Sequence, residues 1–182
     1  MLKPRLEKYS AKVKEQAETL YARINVDAAK QKARLESLLP QLTGGDIRRG
    51  QAVFNGTKAA CLTCHAVGYV GGKVGPDLTR IGNIRTERDL LESILYPSLS
   101  FVRSYEPLTV ATRDGKVYNG LLRSDASDEV VLAVNATEEA KIPRDQIEEM
   151  RPGTVSVMPA GLDQQLTPQD LADLLAFLKS RK

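Results

Sequence analysis

Cys61, Cys64 and His65 sit together in the stretch AACLTCHAVG, and they are the only two thiols and the only imidazole among 182 residues. The spacing Cys-x-x-Cys-His is that of covalent haem attachment. Two thiols one helical turn apart can add across the two vinyl groups of one porphyrin edge, and the next residue then offers an imidazole nitrogen to the iron. Three other chemistries compete for the same residues. A zinc site takes four protein ligands, or three and a water, and the chain has no second Cys-x-x-Cys and no further His. A thioredoxin-like dithiol follows a strand in a βαβ unit, whereas these surroundings read as helical and Gly-rich. The plainest alternative is a structural disulfide beside an unrelated His. Haem c, one group bound covalently with its iron on His65, is the reading favoured.

Iron held by His65 needs a sixth ligand or an open site. With no second His, the candidates are Met150, Met158, a Lys or water, Met1 being terminal. Met158 is preferred because it lies in a Gly/Pro-bounded loop, SVMPAGL, ahead of the last helical segment. Met150 follows IEE at the end of an element and is expected to pack in a core; for Met158 the rival role is a buried gap-filler. A Met/His pair raises the reduction potential relative to His/His, and a closed coordination sphere favours electron transfer over small-molecule chemistry.

Several elements must position these groups. Leu2, Leu6, Tyr9, Val13, Ala17, Leu20 and Ile24 recur at spacings of three and four, so residues 2–39 read as helix, with an interruption suggested at Asn25-Val26-Asp27. The stripe drifts off a strict heptad, which favours an amphipathic arm over a coiled-coil one. Up to Leu42 there are nine Lys/Arg against five Asp/Glu, and the remainder is near neutral. The sequence thus divides into a basic helical arm or linker, 1–42, and a body, 43–182, with Pro40 and Gly44-Gly45 punctuating the boundary. Asp46 caps IRRGQAVFN. A Gly-rich loop covers 66–82, and Thr86 caps a helix ending before Pro97, with Leu90, Leu91, Ile94 and Leu95 inward. The period then switches to two around Asp114-Gly115, a type I′ hairpin signal, and EVVLAVN and EAKIP follow as strands. Thr167-Pro168 opens a last helix with Leu171, Leu174, Leu175 and Phe177 inward.

Net charge is +3, and no dense Lys/Arg cluster interleaved with aromatics is present, so nucleic-acid binding is not expected. No apolar run reaches the ~20 residues of a transmembrane helix. The N-terminus MLKPRLEKYSAK is not a signal peptide; attachment of haem c nevertheless implies a periplasmic or otherwise extracytoplasmic bacterial setting.

The pieces GDIRRGQAVF, CLTCH, VGPDL, VMPAGL and LADLLAFL resemble a class I c-type cytochrome. The run GPDLTRIGNIRTERDLLESILYPSLSF, the stretch around DGKVYNG and then MPAGL are closer still to the haem-binding domains at the C-terminal ends of large planctomycete and verrucomicrobial multidomain proteins. This resemblance covers about residues 43–182. It implies a mainly α fold, the helical one of class I cytochromes c, with a small antiparallel β insertion at about 105–150 and the N-terminal helical arm outside it. It also implies that first and last helices cross at Gly50, Phe54 and Phe177, and that the carbonyl of Pro76 accepts a hydrogen bond from His65. Arg80, Asn83 and Arg85 are candidate donors to haem propionates, or else solvated loop residues. The β insertion is a docking surface, a homodimer surface or a lid over the haem; the arm is a second candidate for a homodimer contact.

The expected function is single-electron transfer, not enzymatic catalysis. Cys61 and Cys64 would anchor the haem and His65 and Met158 ligate its iron. A dehydrogenase, possibly on the same polypeptide, or a respiratory acceptor would be the redox partner. The alternative is a haem-based sensor or a small-molecule-binding enzyme module, should Met158 not be a stable ligand. The only His is already used, which argues against peroxidase chemistry. A third reading is an interaction module assembled through the arm and the β unit.

Overall fold

The computed structural model describes the backbone of residues 11–182, with the side chains of Val13, Lys14 and residues 27–182. The stripe residues Leu2, Leu6 and Tyr9 lie outside the described residues, as do the side chains of Ala17, Leu20 and Ile24. The chain forms two compact units, residues 1–40 and 41–182. In the first, helix α1 spans Ala11–Leu38 without a break at Asn25-Val26-Asp27. Asn and Asp each cost a helix interior only about 0.5 kcal/mol, too little to interrupt an element of this length.

The second unit opens with α2, Ile47–Asn55, where the Asp46 carboxylate accepts from the Arg49 amide as the N-cap. Helix α3 is the single turn Cys61–Cys64, α4 is Ile81–Ile84, α5 is Glu87–Leu95 and α6 is Pro168–Ser180. Both α5 and α6 start with reciprocal capping boxes, Thr86 with Asp89 and Thr167 with Asp170. Their inward faces are the ones the spacing predicts, Leu90, Leu91, Ile94 and Leu95 on α5 and Leu171, Leu174, Leu175 and Phe177 on α6.

Helices α2 and α6 pack backbone to backbone. A Cβ at Gly50 would lie 1.9 Å from the Asp173 carbonyl oxygen, and one at Gly45 would lie 2.3 Å from that of Ala172. Beside this contact the Phe54 and Phe177 rings sit 5.4 Å apart, tilted by 46°, within the range of favourable aromatic pairs. Asp173 is buried and accepts from Arg49 Nε and Nη2, at 2.7 and 2.9 Å, from the Asp46 amide at 2.7 Å and from the Gln169 amide at 2.9 Å. These donors, Arg49 first, hold its carboxyl down from 3.8 to about 2. The depressed value means stability present above about pH 4 and lost as pH falls from there through about 2. Asp173→Asn should therefore cost about 1–3 kcal/mol at pH 7, with the gap to wild type closing near pH 2; urea melts at both pH values check this.

The expectation of a mainly α fold with a small β insertion is wrong. The chain is mixed α/β, six helices with a five-stranded antiparallel sheet among the described residues, besides a two-stranded ribbon near the Cys pair. The ribbon is β1, Ala66–Val67, and β2, Val70–Gly71. The sheet comprises β3 (Pro107–Thr112), β4 (Val117–Asp125), β5 (Glu129–Ala133), β6 (Glu139–Pro143) and β7 (Ile147–Pro152), in the order β6-β5-β4-β3-β7. One face closes over a core of its own, Val110, Val130, Leu132 and Ile142, so the sheet is a structural layer and not an excursion between helices. Strand β7 is what the sequence concealed. IEEMRP has no alternating apolar pattern because the strand is a largely exposed edge, joined to β3 by backbone pairing such as Val110 with Met150. Met150 is accordingly 41% exposed there rather than in a core.

The β3–β4 connection also differs from a type I′ turn. The Gly115 amide donates to Thr112 O, and Gly115 has φ +84° while Asp114 is not left-handed. This is a type I turn followed by a left-handed glycine, the three-residue hairpin loop. Within this loop the Asp114 carboxylate is held by Lys116 and the Thr112 hydroxyl, which draw its pKa down to about 2.

Candidate functional site

The Cys-x-x-Cys-His segment is shaped mainly by the Gly-rich loop that follows it. Helix α3 starts from Ala60 in the left-handed region, φ +48°, and closes with the His65 amide donating to Cys61 O at 2.9 Å. One turn of helix places Cys61 and Cys64 on the same side. The turn's carbonyls, which have no helical partners, accept from the loop: Gly72 N to Leu62 O and Gly75 N to Cys64 O, both 2.8 Å. Such close approach needs glycine at two places above all. A Cβ at Gly72 would lie 1.9 Å from Thr63 O, and one at Gly75 would lie 2.5 Å from the His65 ring.

The same loop orients the imidazole. His65 Nδ1 is 2.8 Å from Pro76 O. A carbonyl only accepts, so Nδ1 carries the hydrogen and Nε2 keeps its lone pair. Burial lowers the His65 pKa and so favours the neutral ring, an effect partly offset by the bond to Pro76.

These groups line a cavity of about 220 Å³, where a single water needs about 10–15 Å³. Cys61, Cys64, His65, Pro76 and Leu78 line it, and so do Met158, Pro159 and Leu162. Ile81 and Arg85 from α4 and its end, Leu90 and Ile94 from α5, and Leu178 from α6 complete the helical side. Of the three candidate donors Arg80, Asn83 and Arg85, all exposed, only Arg85 lines the cavity.

Phe101, Val102 and Tyr105, and Leu121 of β4, also line the cavity, and nothing in the sequence pointed to them. Residues 96–105 have no periodicity to read. Their form depends on a tight turn, Tyr105 N to Val102 O at 2.9 Å, with Ser104 at φ +70°. Leu121 carries an ordinary strand signal; which face it joins is decided by the packing of the sheet.

Cys61 and Cys64 are thiols, not a disulfide. Burial pushes Cys61 up to about 11 and raises Cys64 as well. Redox dithiols have the opposite shift, toward thiolate. Among the described residues no three His, Cys, Asp or Glu side chains converge to hold a metal ion between them, so the two thiols and the imidazole do not share a zinc-like centre. What the cavity offers is two nucleophilic sulfurs on one helical turn, one imidazole lone pair and one thioether. His65 and Met158 are its candidate metal ligands, and Cys61 and Cys64 its candidate covalent anchors.

No protein-family model matches this chain, and no curated protein matches it either. Among the described residues, no helix is long and apolar enough to cross a membrane.

Proposed function

We propose that the chain is a monohaem c-type cytochrome that carries single electrons between redox partners. The observation behind this is one cavity, mostly apolar, that gathers Cys61, Cys64, His65 and Met158, with the first three within five positions of sequence and the fourth nearly a hundred residues away. The residues present fit the group. The loop glycines leave the His65 ring in contact with backbone on one side, and its Nδ1–H is committed to Pro76, so Nε2 is the nitrogen left for iron. When bound, haem would supply a reversible one-electron change at its iron.

Each side chain then has a distinct task. Cys61 and Cys64 would hold the porphyrin edge through thioethers, so that a small protein keeps its cofactor without enclosing it. Pro76 sets the tautomer of His65 and raises its basicity as a ligand. Met158 would close the coordination sphere, which limits ligand exchange and favours electron transfer. Arg85 at the cavity edge is the candidate partner of a propionate. Covalent attachment of this kind belongs to an extracytoplasmic, periplasm-like compartment, and a dehydrogenase or a respiratory acceptor would be the partner.

The absorption spectrum of the purified protein tests the reading. A low-spin ferric spectrum with the weak far-red methionine–iron band, lost in Met158→Ala, is the expected result. A colourless protein would remove the reading altogether. A high-spin spectrum that takes up CO or cyanide at once would replace electron transfer with a sensor or small-molecule role, in which Tyr105 supplies a polar group to the cavity.

A further inference from the structure

The loop that carries Met158 is fastened largely from outside the helices. Gly153 N donates to Pro107 O of β3 at 2.7 Å. The Asn119 side-chain amide of β4 donates to Val155 O at 2.9 Å. The Ser156 amide donates to the Ser98 hydroxyl at 3.0 Å, and the Met158 amide to the Ser156 hydroxyl at 3.1 Å. Two of these four ties come from neighbouring strands of the sheet.

Asn119 is itself held in orientation. It lies directly opposite Thr109 in the β3–β4 register, and the Thr109 hydroxyl donates to its Oδ1 at 3.3 Å. With Oδ1 occupied as acceptor, the amide nitrogen faces Val155 O. The loop comes close enough to use it because residue 153 is glycine, whose Cβ would stand 2.8 Å from Asn119 Oδ1. Leu121, two residues along the same strand, lines the cavity. The strand that shapes one wall of the cavity therefore also tethers the loop bearing Met158.

We infer that Asn119, oriented by Thr109, is a positioning residue for Met158, and that the sheet serves as a clamp on the methionine loop. The inference rests on the proposal that Met158 ligates haem iron. On this view the sheet governs how readily the sixth ligand leaves.

The test uses the full haem-loaded chain. Asn119→Asp keeps shape and the acceptor for Thr109 but loses the donor to Val155, and Thr109→Val removes the orienting bond alone. Cyanide uptake by the ferric protein and the pH at which the far-red band disappears are the readouts, taken well below the melting temperature. Loss of one hydrogen bond to the loop should speed cyanide uptake about tenfold in Asn119→Asp and about threefold in Thr109→Val. On raising the pH, a more loosely held methionine is displaced sooner, so the band should disappear about one pH unit lower in Asn119→Asp, with haem attachment unchanged. A merely structural Asn119 would lower the melting temperature and leave both readouts at wild-type values. That outcome, with the band still abolished in Met158→Ala, overturns the clamp and leaves the proposed function standing. A wild-type protein that binds haem without any methionine band overturns Met158 ligation, and the clamp with it.

Discussion

Gly50→Ala is expected to cost about 3 kcal/mol of stability or more, a large part of the 5–15 kcal/mol that holds a typical domain together. The added Cβ would meet Asp173 O at 1.9 Å and the Phe177 Cβ at 2.7 Å. The first is backbone inside α6 and has no rotamer into which it can retreat. The helices must move apart, and with them the Phe54–Phe177 ring contact and the Arg49–Asp173 pair, which flank the same point. Overpacking a core commonly costs about 1–3 kcal/mol, and a rigid neighbour puts this case at the upper end. Thermal or urea unfolding of the full chain measures it. A melting temperature within about 2 °C of wild type would mean that α2 and α6 do not meet at Gly50.

The second large effect is all-or-none. Cys61→Ser/Cys64→Ser, produced where haem is attached to proteins, should carry no haem through a denaturing gel, whereas wild type should stain. A serine hydroxyl adds to a vinyl group far less readily than a sulfur nucleophile, so no covalent link forms. Each single variant retains one anchor and should stain with a shifted absorption maximum. Equal staining of the double variant and wild type would mean that colour comes from somewhere other than these thiols.

Much of this site was readable along the chain because its parts are local. Cys61, Cys64 and His65 fall within five positions, and Gly72, Gly75 and Pro76 lie within about a dozen residues, so spacing alone brought the candidate groups together. Helices α2, α5 and α6 were equally legible, since Asp46, Thr86 and Thr167 are N-caps whose partners lie three residues on. The β unit over 105–150 reads from sequence as three to five strands, and its weight in the fold was underestimated for a particular reason. An interior strand such as β5, with Val130, Val131 and Leu132 buried, announces itself in composition. The edge strand β7 does not, for its stabilisation comes from backbone hydrogen bonds to β3 that any residue can make.

The sequence by itself determined the chemistry available: two thiols, one imidazole and a methionine in a turn-rich loop, along with the helices whose caps and apolar faces are set by neighbours three and four residues away. Tertiary structure alone decided which of these share a cavity. It put Arg85 at the cavity and Arg80 outside it, added Phe101, Tyr105 and Leu121 to the walls, and hung the Met158 loop on Asn119. Those outcomes depend on contacts between residues dozens of positions apart, where no periodicity or spacing carries the signal and only the folded chain brings the groups together.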